Sequence, residues 1–107
     1  MVTQPFMARQ GDVLIMPVRS IPETATKGLR DQGRIVLAYG EITGHCHAIA
    51  DESVQILEHE GTRYIRVPNE GSKLRHEEHG TIELAPGDYR VVTQKEYTPA
   101  AIVNVLD

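Results

Sequence analysis

The sequence predicts an all-β domain, a small barrel or sandwich of six to nine short strands. Two observations carry that prediction. Its apolar runs are short, and nine glycines and six prolines punctuate them along 107 residues. Apolar spacing of period 3.6, the mark of an amphipathic helix, is scarce. With 40% apolar and 24% charged residues, the chain has the balance of an ordinary globular domain, and 1–107 reads as one domain.

The first run, VLIMPV at 13–18, follows Gly11-Asp12 and is apolar on both faces, so it reads as a buried strand with Pro17 near its end. Residues 19–33 then form a long loop rich in Pro, Thr, Gly and charge, the kind of segment that serves as a flap in a compact domain. RIVLAY at 34–39 repeats the strand character. SVQILE (53–58) and TRYIRV (62–67) flank Glu60-Gly61, a tight hairpin turn. Period-two alternation puts Tyr64 and Arg66 on one face, Ile65 and Val67 on the other. Residues 68–73 read as an exposed connection. Ala85-Pro86-Gly87-Asp88 fits a type II turn joining strands at 81–84 and 88–96. At the tail, Thr98-Pro99 has the form of a helix start, but the β-branched run at 102–105 favours a last strand within 98–106.

Charge and composition narrow the function. Fifteen acidic against eleven basic residues leave a net charge of −4, and the basic residues are scattered. No nucleic acid is therefore expected as partner. One Phe, four Tyr and no Trp make a poor stacking platform. No apolar run approaches the roughly 18 residues of a membrane span, and no export signal opens the chain. The single cysteine, Cys46, rules out an intrachain disulfide and suits a reducing, cytoplasmic setting. A G-x-S-x-G turn, a P-loop and a Rossmann glycine pattern are all missing.

The chemistry has to come from histidines. Four of the five fall in two pairs, Gly44-His45-Cys46-His47 and His76-Glu77-Glu78-His79. On a strand His45 and His47 share a face, with Cys46 opposite as a small core residue. That is how a β-structure offers two imidazoles to one divalent ion. His76 and His79 share a face only in a helical turn, and lie on opposite faces of a strand. His59, beside the hairpin turn, reads as an ordinary half-exposed polar residue.

The spacing His45-x-His47-x4-Glu52 resembles the first metal motif of the cupin superfamily. That resemblance implies a double-stranded β-helix barrel holding a divalent metal on His45, His47, Glu52 and a later histidine. The sequence departs from the pattern after Pro86-Gly87, where Tyr89 and Arg90 occupy the region of the expected histidine. His76, His79 or water would then complete the set. A longer string also resembles a group of small uncharacterised bacterial proteins. It comprises GDVLI (11–15), GxxTGHxH (40–47) and LxHEEHxxIxLxPGxYxVxxQxEY (74–97); the resemblance implies a compact single domain and no particular activity.

The leading expectation is a histidine-rich divalent-metal site with His45, His47, His76, His79 and Glu52 as candidate ligands. Imidazole with carboxylate suits Zn, Fe, Mn or Ni. If the metal is catalytic, Glu77 or Glu78 serves as general base once burial raises its pKa. A metal-free reading pairs His76 or His79 with Glu77 as acid and base. The alternative is a non-catalytic homo-oligomer or binding module with interfacial histidines, since a small β domain must cover its edges. A small-molecule ligand is compatible with the first reading, and whether the chain is an enzyme is left open.

Overall fold

In TRYIRV, Ile65 and Val67 are buried and Arg66 between them is exposed, the alternation of a strand with one face on a core. The same physics organises the whole computed structural model, which describes residues 4–40 and 44–93. Those residues form ten strands and no helix. They are β1 (Ala8–Gln10), β2 (Val13–Val18), β3 (Thr26–Lys27), β4 (Ile35–Tyr39), β5 (Cys46–Ile49), β6 (Gln55–His59), β7 (Thr62–Val67), β8 (Ser72–Leu74), β9 (Ile82–Leu84) and β10 (Gly87–Thr93).

Six strands make one antiparallel sheet in the order β1-β2-β10-β7-β6-β3. Two hairpins, β4–β5 and β8–β9, form separate two-stranded sheets, joined to each other where Ala48 and Arg75 exchange hydrogen bonds of 3.0 and 2.9 Å. The described strands thus build an open, layered assembly, without a single closed barrel. Register puts Tyr89 opposite both Pro17 and Ile65, and Ile65 opposite Ile56. Of that row, Tyr89, Ile65 and Ile56 pack with Ile35 and Leu37 of β4, Ile49 of β5, Leu74 of β8 and Leu84 of β9 in one core. Arg63 fastens the layers by donating to the carbonyls of Val36 and Leu37.

Several sequence expectations need correction. The 13–18 run is not buried on both faces: Val13 and Ile15 are, while Leu14 and Met16 are half-buried and Pro17 is exposed. Pro17 lies beyond the reach of β1, which pairs only as far as Ile15. There β2 is an edge on that side and tolerates a missing N–H. The 19–33 segment is no free flap. It contains β3, buries Ile21, and is tied down by Arg30 donating to the carbonyls of Gly33 and Val54. Residues 72–73, read as connection, belong to β8. The 85–88 segment is a bend with Gly87 at φ +145°, not a type II turn; β9 and β10 lie in different sheets. The buried Tyr89 hydroxyl holds the bend by donating to Ala85 O at 2.6 Å. The Glu60-Gly61 turn stands as expected, with φ +50° and +82°, both positive as a type I′ hairpin requires. The expected strand at 98–106 lies outside the described residues.

Candidate functional site

Gln10 is an unexpected core residue. Its partner across the β1–β2 hairpin is Val13, and neighbouring Ala8 pairs with Ile15, so Ala8 and Gln10 share the inward face of the sheet. Gln10 is only 2% exposed. A buried amide must find partners, and this one has three. Its Nε2 donates to Leu74 O at 3.0 Å and to Gly80 O at 2.9 Å. These two bonds orient the amide, leaving Oε1 as the acceptor for His47 Nδ1 at 2.8 Å. Because that oxygen can only accept, His47 carries its proton on Nδ1 and presents a bare Nε2. Asp12 Oδ1 stands 3.5 Å from this Nε2.

Around His47 the other imidazoles gather. Its ring centre is 4.3 Å from that of His76 and 5.7 Å from that of His79, and His76 and His79 are 4.6 Å apart. His45 meets His76 edge-on at 6.0 Å, and its Nδ1 lies 3.6 Å from Glu78 Oε2. Both members of the first pair therefore meet the same ring of the second. His76 and His79 converge by a route the sequence did not offer. Residues 77–79 bend between β8 and β9, and the Glu78 N–H donates to His76 Nδ1 at 3.0 Å. Cys46 takes the face of β5 opposite His47, as expected, with Arg34 Nη1 at 3.4 Å from its sulfur, in a groove that His76 also lines.

The β1–β2 turn forms one wall. Gly11, at φ +59°, lies so close that a Cβ there would stand 2.9 Å from His79 Nε2 and 3.1 Å from His47 Cε1. Glycine is needed for the turn and for the close approach. Burial lowers the pKa of His47, the neighbouring His76 adds to the effect, and Asp12 opposes it. The buried imidazole is thus biased towards its neutral, lone-pair-bearing form.

Not every candidate joins. Glu52 lines a different groove, with Lys27, Gly28 and Arg30. The condition set for Glu77 as general base is not met. Its carboxylate is exposed and accepts the Cys46 N–H at 2.9 Å, and that bond, with one from its own backbone, lowers its pKa. Glu78 is also exposed. His59 shares a hydrogen bond of 3.2 Å with Thr24 near the hairpin turn, the ordinary role expected of it. Among the described residues no three His, Cys, Asp or Glu side chains stand in metal-holding geometry.

Sequence reasoning missed Gln10, Gly11 and Asp12. One signal was present: a β-turn Gly-Asp before an apolar run, with a polar residue at its entry.

Fold and site together define an all-β domain with a histidine cluster wedged between a hairpin turn of its main sheet and two covering hairpins. The model of the family described as Domain of unknown function (DUF8820) matches residues 9–94, from β1 to just past β10, and the chain belongs to that family. No curated protein and no solved structure matches the chain. Among the described residues no helix is long and apolar enough to cross a membrane.

Proposed function

We propose that the cluster is a divalent-metal site, with His47, His76 and His79 as imidazole ligands and Asp12 as the nearby carboxylate. One observation carries this reading: His47 is locked by buried Gln10 with Nδ1 protonated and Nε2 bare. Metal-binding histidines are commonly held this way, their second nitrogen donating to an oxygen acceptor. The spacing supports it. An imidazole bound at about 2.0–2.1 Å has its ring centre about 3.2 Å from the metal, so ligands 90–110° apart have centres about 4.5–5.2 Å apart. The observed 4.3, 4.6 and 5.7 Å bracket that range. His76 must exchange the Glu78 amide for the metal, so the 77–79 bend rearranges on binding. The donor set suits Zn, Fe, Mn or Ni.

Untagged protein analysed for metal, then titrated with zinc and with cobalt after chelation, tests the proposal. About one equivalent per chain is expected, with a cobalt spectrum of nitrogen and oxygen ligation that His47→Ala and His79→Ala abolish. Absence of stoichiometric metal, with no melting shift on added zinc, ends it.

The second reading, self-association, is favoured by Met7, Leu29 and Tyr39, which are 62%, 89% and 62% exposed. Met7 immediately precedes β1, an edge strand of the main sheet. Sedimentation at micromolar concentration decides it. A monomer at pH 5 and pH 8 overturns it.

A further inference from the structure

Strand β5 has a second face. His47 and Ile49 point one way; Cys46 and Ala48 point the other, and Ala50 continues their row just past the strand. With Arg34 and Arg75 these three small residues line a groove of about 330 Å³ that reaches His76. One cation is held at its guanidinium and the other at its backbone. Arg34 Nη1 rests 3.4 Å from the Cys46 sulfur, a weak acceptor that leaves the guanidinium's donor capacity largely unspent. Arg75 is clamped to Ala48 through its own N–H and C=O at 2.9 and 3.0 Å, which fixes where its exposed side chain begins. Among the described residues lining the groove, Glu77 supplies the one carboxylate, already engaged by the Cys46 N–H. Among the described residues of this lining, two arginines against one glutamate leave a single positive charge in excess, and Arg75 also borders the adjoining groove that holds Asp51, Glu70 and Glu83.

We infer that this groove binds a small organic monocarboxylate. Its carboxylate lies between Arg34 and Arg75, its short carbon chain on Ala48 and Ala50, and its far end at His76. The guanidinium fork matches a carboxylate through paired hydrogen bonds. The surplus of one charge matches a monoanion better than a phosphate dianion, and the methyl groups of the floor suit carbon. The inference names a ligand class for the proposed metal site and rests on that reading for the ligand's contact with metal; retention of the carboxylate needs only the arginines.

The test is calorimetric titration of the full chain with sodium butyrate, metal-free and zinc-treated, at ionic strength held constant with sodium chloride. One saturable site is expected in both forms. Arg75→Gln, an exposed change that leaves folding intact, should weaken it at least about tenfold, the loss of a charge-assisted pair. Arg66→Gln, on β7, should leave it unchanged. Amide shifts on titration should centre on Ala48 and His76. No saturation in either form overturns the inference, as does binding that Arg75→Gln leaves intact. Inorganic phosphate that binds more tightly than butyrate overturns the carboxylate assignment. Butyrate binding without zinc binding defeats the metal reading alone, and zinc binding without butyrate defeats the groove alone.

Discussion

Replacing Gln10 by leucine gives a sharp measure of how the site is built into the core. The side chain makes three hydrogen bonds, to His47 Nδ1 at 2.8 Å, Leu74 O at 3.0 Å and Gly80 O at 2.9 Å. Leucine keeps the volume and removes them all. Gly80 is exposed, so its carbonyl turns to water. The His47 Nδ1–H and the Leu74 carbonyl are left buried without this partner, each at a cost of about 1–3 kcal/mol. Burying leucine in place of an amide returns part of that, so the expected net loss is about 2–4 kcal/mol. That is a large share of the roughly 5–15 kcal/mol available to a domain. Urea unfolding followed by far-ultraviolet dichroism, needed because the chain has no tryptophan, should show the midpoint fall by about 1–2 M. Gln10→Glu should cost at least as much, since its carboxylate still accepts from Nδ1–H but is buried and faces the Leu74 and Gly80 carbonyl oxygens with no hydrogen to donate. A Gln10→Leu variant within about 0.5 kcal/mol of wild type would refute the claim that this amide organises the cluster.

Three further outcomes follow from the same geometry. In metal-free protein His47, its pKa lowered by burial, stays neutral when the unfolded chain takes up a proton near pH 6.5. Its contribution is therefore complete above about pH 6.5 and declines below it, at no more than about 1.4 kcal/mol per pH unit; a proton-resonance titration placing His47 above 6.5 contradicts this. Gly11→Ala puts a methyl group against His79 and His47 at a positive φ. It should cost about 1–2 kcal/mol in urea unfolding and weaken zinc binding, and unchanged zinc affinity would argue against His79 as a ligand. Tyr89→Phe removes the buried bond to Ala85 O and should lower stability by about 1 kcal/mol, a change calorimetry would register as a lower melting temperature.

Local sequence made the longer strands legible. The runs at 13–18, 34–39, 53–58 and 62–67 carry enough apolar residues for a pattern, and Glu60-Gly61 has the backbone freedom its turn demands. The strands β1, β3 and β8 escaped detection because two or three residues cannot display an alternation. The bend at 85–88 escaped too: Pro-Gly favours a tight turn, but Tyr89 anchors Ala85 and carries the chain from one sheet to the other.

The site divides the same way. Two histidines flanking Cys46 and two flanking a Glu-Glu pair were visible as residue types, because imidazole chemistry belongs to the side chain whatever its neighbours. Their meeting point, the exclusion of Glu52, and the roles of Gln10 and Asp12 were decided by tertiary structure alone. Gln10 lies 37 residues from His47 and 64 from Leu74 along the chain. Only the docking of the β1–β2 turn against the two hairpins turns an unremarkable amide into the group that sets a histidine's tautomer. Spacing along a chain reports which side chains share a face of one strand; it carries no information on which faces are pressed together when sheets close over a core.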